Sequence, residues 1–435
     1  MEQGTGKTLV ALFAASRRWK RKGLRLVLVV GPKVAIGTWR RQIQQHLAVP
    51  ARVWVGKDHV GEREIAKILR ADSDDIKFLL INYELTWRYK AWLKRLRWDG
   101  IIVDESHRMK KPTSRQSKAL NSVGRDCPWK LILTGTPIGN DDIDLYSQIR
   151  FLNDSIFPKW SVFKKKWCRP AGYGGFKNKI LKGKLPTFLK RVDELAFRVK
   201  AREVFDLPPV SDEAIYVPLT GKAKRHYHEM ERDFYTKYGE YETTTDMMVT
   251  NMLRLQQICG GYLPTDEEDV VVELNQDKLL AIGDYLEDVP RDKKIVVFAR
   301  FTLEIDSLKQ LMKKQGRSCA VIEGGMKQKD IDKAWMDFQD KDDPVAIILQ
   351  IQAGGVSIDL FRSCLCFFYS RSYSYIDYDQ ARKRVDRNGQ KNPVRFISMI
   401  VENSIDEDID FILDSKGSNA DLILNQLKKR LETNG

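Results

Sequence analysis

Two parts of the chain share a rhythm in which short, nearly unbroken apolar runs alternate with longer, helix-compatible stretches. In the first part the runs are RLVLVV (Arg25 to Val30), KFLLINY (Lys77 to Tyr83), GIIVD (Gly100 to Asp104) and KLILTG (Lys130 to Gly135). In the second they are KIVVFARF (Lys294 to Phe301), CAVIEGG (Cys319 to Gly325), VAIILQI (Val345 to Ile351), LCFFYS (Leu365 to Ser370) and VRFISMI (Val394 to Ile400). Runs of this length without polar alternation suit strands buried on both faces. Their alternation with helical stretches predicts two α/β lobes, each a parallel sheet with crossover helices. Between them, from Phe151 to Val272, the rhythm gives way to basic, aromatic, mainly helical sequence punctuated by Pro208-Pro209. Trp160, Phe163 and Trp167, spaced i, i+3, i+7, fit the core of this inserted region better than a base-stacking platform. The expected layout is a first lobe over 1–150, a helical insertion over 151–272, a second lobe over 273–415 and a C-terminal helix over 416–435.

Composition narrows the class. The chain has 435 residues, 43% hydrophobic and 31% charged, which excludes disordered and collagen-like chains. Lys and Arg number 74 against 59 Asp and Glu, so the net charge is +15, which favours a polyanionic partner, nucleic acid first. No apolar run approaches the roughly 18 residues of a bilayer-spanning helix, so no membrane partner is expected. The opening MEQGTGKT lacks the basic-then-apolar form of a signal peptide, and a reducing, cytoplasmic compartment follows. The six cysteines are scattered, and we read them as buried thiols rather than a zinc or disulfide framework. His226, His228 and Glu229 show only helical alternation, which fits an exposed face better than a metal site.

Three segments carry chemistry. In GTGKT, Gly4 to Thr8, the glycines let backbone N–H groups approach a phosphate, and the helix that follows adds a favourable field. Lys7 would hold the β/γ-phosphates and Thr8 would ligand Mg²⁺. The five residues alone also fit a glycine turn before a helix. DESH, Asp104 to His107, ends an apolar run, as expected where two carboxylates emerge at the carboxyl edge of a parallel strand. Asp104 could reach a metal and Glu105 could orient and deprotonate a water, although a surface Asp-Glu turn has the same wording. QARKRVDRNGQ, Gln380 to Gln390, places Arg384 and Arg387 three apart, on one face if helical. With the other two motifs present, these arginines suit a developing γ-phosphate charge.

Together the segments resemble the Swi/Snf-related (Snf-type) DNA-dependent ATPases of helicase superfamily two, over nearly the whole chain and in the family's order. EQGTGKT is similar to motif I, GPKVAIGTWRRQI to motif Ia, INYE to the following block, DESH to motif II and LTGTPIGN to motif III. VVFARF, QIQAGGVSIDL and QARKRVDRNGQ resemble motifs IV, V and VI, and FRVKAREVFDLPP resembles the basic block before the family's Leu-Pro-Pro. The resemblance implies two RecA-like lobes with ATP and Mg²⁺ between them and duplex DNA across both. It implies ATP contacts at Gly4, Thr5, Gly6, Lys7, Thr8, Asp359 (ribose) and Gln380 (a γ-phosphate sensor), Mg²⁺ at Thr8 and Asp104, and catalysis by Lys7, Asp104, Glu105, Arg384 and Arg387. DNA-backbone contacts would fall to Lys33, Lys110, Gly324, Gly325, Gly354 and Gly355. Each of the two lysines fits a solvated surface charge equally well.

Several features depart from the family pattern. Met1 stands where motif I has its first glycine, Asp359 where Asn is commoner, and Phe197 where the basic block opens with arginine. The strand that normally precedes motif I is expected to be missing, leaving an open strand position beside the Asp104 strand. No targeting module accompanies the motor, which leaves targeting to other proteins or another segment. The compact layout resembles bacterial or phage members. The implied function is an ATP-dependent translocase on duplex DNA. A strand-separating DNA or RNA helicase is the alternative within the superfamily, and a non-hydrolysing DNA-binding scaffold the alternative outside it.

Overall fold

The computed structural model describes residues 1–2, 4–56, 74–138, 141–171, 177–240, 245–264, 271–351 and 358–414. They form two compact units, one up to Asp206 and one from Leu207 onward.

The first unit is built on a five-stranded sheet of β1 (Leu26–Gly31), β2 (Ala51–Val55), β3 (Ile76–Asn82), β4 (Gly100–Asp104) and β5 (Lys130–Leu133), in the order β2-β3-β1-β4-β5. Every pairing is parallel. The apolar runs explain why. Successive side chains of a strand point to opposite faces, so Leu28, Val30, Leu79, Ile81, Ile101 and Val103 enter one core while Val27, Val29, Phe78, Leu80 and Ile102 enter another. After β1 the chain first builds β2 and β3 on one side and then crosses to β4 on the other. The reversal places Gly31 beside Asp104 at the carboxyl ends of adjacent strands, where a Cβ added to Gly31 would lie 3.5 Å from Asp104 Cβ. The open position expected beside the Asp104 strand is not there: β1 and β5 flank β4 on both sides, and β5 is the edge of the sheet.

Helices predominate between residues 151 and 272, but strands also occur. β6 (Cys168–Ala171) and β7 (Lys177–Ile180) form an antiparallel hairpin in the first unit. The hairpin region has its own core, in which Tyr146, Phe157, Phe163 and Phe188 pack with Trp160 and Trp167. β8 (Val210–Val217), in sequence expected to be helical, is instead the edge strand of the second sheet. β9 (Tyr262–Pro264) and β10 (Val271–Glu273) form a small antiparallel pair.

The second unit repeats the doubly wound logic with β11 (Ile295–Ala299), β12 (Cys319–Ile322), β13 (Ala346–Gln350), β14 (Leu365–Phe368) and β15 (Val394–Val401), in the order β12-β13-β11-β14-β15-β8, all parallel. β8 is clasped to its neighbours by charge: Glu213 takes two hydrogen bonds from Arg395 at 2.9 and 2.7 Å, and Asp212 takes two from Arg382. The expected C-terminal helix over 416–435 lies outside the described residues. Among the described residues, no helix is long and apolar enough to cross a membrane.

A buried ion pair ties this unit together. Lys278 Nζ, at the start of the Asp277–Glu287 helix, lies 2.5 Å from Asp406 Oδ2 in the Ile405–Asp414 helix and donates to the Tyr369 carbonyl at 3.1 Å. Both side chains are almost fully shielded from solvent. Truncating one partner strands the other charge, so Lys278→Ala should cost about 3–5 kcal/mol in urea unfolding of the second unit. The double change Lys278→Met with Asp406→Leu should recover most of that loss, and a double variant no more stable than Lys278→Ala would contradict this role for the pair.

Candidate active site

The first unit's chemistry gathers where Gly31 meets Asp104. The Lys7–Lys22 helix begins after Gly4 and Gly6, both left-handed at φ 78° and 79°. A side chain would strain either position. Among the described residues, no side chain caps this helix, and a helix N-terminus of this kind suits an anion. Thr5 Oγ1 donates to the Glu2 carbonyl at 2.7 Å, and Lys7 Nζ donates to the same oxygen at 3.0 Å, which closes the loop on itself. Thr8 follows, half-buried in the first turn. Glu2 ties the loop to the basic block: its N–H donates to the Val199 carbonyl and its Oε2 accepts from the Ala201 N–H, each at 2.9 Å. Phe197, the departure in that block, is exposed.

Asp104 and Glu105 are adjacent, yet their surroundings treat them differently. Burial, reinforced by the Glu105 charge, pushes the Asp104 carboxyl up to about 6. A hydrogen bond from Trp39 Nε1 to its Oδ2 at 2.9 Å and the charge of Lys7 act against the rise. Glu105 is also desolvated, but His107 and the charges of Lys7 and Arg108 outweigh that and hold it below the ordinary carboxylate range. His107 Nδ1 lies 3.2 Å from Glu105 Oε2 and 3.4 Å from Thr134 Oγ1 in the motif III segment. The backbone at Glu105 is left-handed (φ 49°, ψ 52°), a conformation costly for a non-glycine residue. It is held by the Glu105 N–H on Asp104 Oδ1 at 2.9 Å and by Tyr83 OH, which donates to the carbonyls of Asp104 at 2.7 Å and Glu105 at 3.0 Å. Lys7 is thus electrostatically coupled to both carboxylates.

The remaining sequence-derived positions spread further. Lys33 is exposed just after β1. Lys110 sits 3.7 Å from Asp144 in an ion pair. In the second unit, the Gly324 N–H donates to Gln350 Oε1 at 2.8 Å, and Gly325 turns the chain at φ 86°. Gly354 and Gly355, with most of motif V, lie outside the described residues, as does the end of motif III. Gln380 is half-buried in the Tyr375–Val385 helix. Arg384 and Arg387 do not share a helical face. The helix ends at Val385, leaving Arg384 buried in its last turn and Arg387 in the turn beyond. Arg387 pairs with Asp359, and burial together with the Arg387 charge pulls Arg384 down to about 10. His226 and His228 each face a glutamate one turn on, at 3.4 and 3.6 Å.

A family model described as "SNF2-related domain" matches residues 1–261, and one described as "Helicase conserved C-terminal domain" matches residues 277–389. The chain belongs to the SNF2-related family. That family comprises helicase-like ATPases, and the DESH and GTGKT clusters fall within the matched SNF2-related segment. Among SNF2-related relatives, the "ISWI chromatin-remodeling complex ATPase ISW1" of Saccharomyces cerevisiae is 27% identical over 426 residues, which is 94% of this chain and 37% of that protein. The "Uncharacterized ATP-dependent helicase MG018" of Mycoplasma genitalium is 24% identical, over 93% of this chain and 38% of that protein. The chain therefore spans well under half the length of these relatives. A solved structure, the "Sulfolobus solfataricus SWI2/SNF2 ATPase core in complex with dsDNA", is 22% identical and covers 98% of this chain and 89% of that one at a TM-score of 0.42.

Trp39, Tyr83 and His107 are the partners of the SNF2-related carboxylates that sequence reasoning did not assign. All three stand inside quoted motifs, in GTWRRQI, INYE and DESH, so their place was visible while their contacts were not.

The Asp104 environment has a measurable consequence in nucleotide-free protein. The folded chain holds that proton up to about pH 6, whereas an ordinary aspartate releases it near 3.8, so ionising Asp104 costs stability as pH rises through that window. Asp104→Asn keeps an acceptor for Trp39 and removes the charge. It should raise first-unit stability by about 1–3 kcal/mol at neutral pH, with the gain fading toward the acid end of the window. Thermal midpoints across pH check this, and a variant that kept the wild-type loss of stability as pH rises through that window would refute the assigned desolvation.

Proposed function

We propose that the chain is an ATP-dependent translocase or remodelling ATPase that moves on double-stranded DNA, coupling Mg²⁺-dependent ATP hydrolysis to that movement. The observation that carries the reading is the meeting, at one strand switch point, of an uncapped helix N-terminus, Lys7 and two inequivalent carboxylates. Kinship with an ATPase of a chromatin-remodeling complex and the +15 charge support duplex DNA as the partner. We place its action in the bacterial or phage-infected cytoplasm, with targeting left to other proteins.

The residues present fit a nucleotide. The left-handed glycines and the amides of the helix N-terminus suit phosphate oxygens, and the carboxylate of Asp104, with the hydroxyl of Thr8, suits a hard cation. Bound Mg²⁺ would neutralise phosphate charge. Gly4, Thr5, Gly6 and Lys7 hold the phosphates, with the Lys7 ammonium exchanging the Glu2 carbonyl for phosphate oxygen. Glu105, ionised and steered by His107, orients the attacking water and accepts its proton. To the second unit we assign Gln380 as phosphate sensor, Asp359 as ribose contact, and Arg384 and Arg387 as cations for the developing charge. Lys33, Lys110, Gly324, Gly325, Gly354 and Gly355 are assigned to the DNA backbone.

Glu105→Gln should retain nucleotide binding while ATP turnover falls by about 10²–10⁴-fold, since an amide keeps the shape and cannot take the proton. Turnover at the wild-type rate would remove Glu105 from this role. Function itself is tested by ATPase rate at fixed nucleotide against long duplex, short duplex, single-stranded DNA and RNA. Long duplex of any sequence should stimulate most and short duplex less. A larger response to RNA or single strands would support a strand-separating helicase instead.

A further inference from the structure

From Lys159 to Arg191 the chain carries eleven Lys and Arg and no Asp or Glu. The segment contributes the Trp160–Trp167 helix, the β6–β7 hairpin and most of the Leu185–Asp193 helix. Among its described residues, the aromatic side chains are spent on the inside. Phe163 is fully buried and stacks on Trp167 at 5.6 Å, and Trp160 packs against the same cluster. Lys184 and Arg191 bind backbone carbonyls and lie over the Trp167 ring at 5.6 and 5.2 Å, and Lys179 pairs with Asp141 at 3.6 Å.

Of the others, Lys164, Lys165, Lys166, Arg169, Lys182 and Lys190 are exposed, and among the described residues none of these six forms an ion pair. Elsewhere, exposed lysines such as Lys309 and Lys341 do pair, with Asp306 and Asp337. The helix macrodipole accounts for three lysines in the last turn of the Trp160–Trp167 helix, but not for Arg169, Lys182 or Lys190 beyond it. A surface that carries these unpaired cations, with Phe163, Trp160 and Trp167 packed into the cluster beneath it, offers little for unstacked bases and much for a phosphate backbone.

We propose that the surface formed by Lys164, Lys165, Lys166, Arg169, Lys182 and Lys190 is a separate duplex-DNA contact that grips the phosphate backbone without reading sequence. The inference rests on the duplex-DNA reading above and adds a surface to it.

The test is a fluorescence-anisotropy titration of a labelled duplex at several salt concentrations with the full chain and three triple variants. Lys164→Gln with Lys165→Gln and Lys166→Gln should make the slope of log K against log salt shallower by about 2 to 3, at about 0.9 per lost phosphate contact. The corresponding Lys→Arg triple should keep the wild-type slope. The control Lys20→Gln with Arg21→Gln and Lys22→Gln, at the exposed end of the Lys7–Lys22 helix, should change it by less than about one. Unchanged circular-dichroism melting shows that the variants fold. A wild-type slope in the 164–166 glutamine variant, or an equal loss in the control, overturns the inference. Tighter wild-type binding of an acidic peptide than of duplex overturns it in favour of a protein partner. No duplex binding by the wild-type chain instead defeats the underlying reading.

Discussion

Each sheet must bury both of its faces, and the placement of polar chemistry follows from that requirement. A strand such as β1, whose residues enter two cores, has no room along its length for a charged group. Crossover helices then force every strand to run the same way, so carboxyl ends collect on one edge. Polar residues of the motifs are displaced to that edge: Asp104 at the end of β4, Arg300 just beyond β11, and Gln350 at the end of β13, where its side chain bridges the Arg300 carbonyl and the Gly324 N–H.

At the first unit's edge, the same burial that shapes the sheet sets the electrostatics. Asp104 is desolvated by the core beneath it and Glu105 is rescued by His107, so two neighbouring carboxyls separate in proton affinity. Pairs pushed apart in this way are a recurring basis for dividing roles between acids. The left-handed backbone at Glu105 is part of the arrangement, since it turns the chain directly into the Ser106–Met109 turn that carries His107. Trp39 and Tyr83, from two other segments, hold the resulting geometry.

Much of this was legible in the sequence because the dominant signal is apolar continuity. All nine apolar runs became strands, and the motif order led to the family. What escaped detection has local physical causes. β2, ARVWV, is short, interrupted by Arg52 and only partly buried. β8 was concealed by SDE at its start, where Asp212 and Glu213 are matched by Arg382 and Arg395, distant in sequence. The one-face expectation for Arg384 and Arg387 failed because the helix stops between them, at a residue whose N–H still bonds back to Arg382. Tertiary partners such as Trp39 for Asp104, 65 residues apart, have no periodic signature at all.

The proposed movement along intact duplex DNA, driven by nucleotide turnover at the Lys7, Asp104 and Glu105 cluster, is open to a direct test. The most direct measurement is displacement of a third strand from a triplex, run beside unwinding of a tailed duplex under the same nucleotide conditions. A translocase gives ATP-dependent third-strand release by the wild-type chain, none by Glu105→Gln, and no separation of the duplex strands. Efficient unwinding of the tailed duplex, or third-strand release that persists in Glu105→Gln, would contradict the proposal.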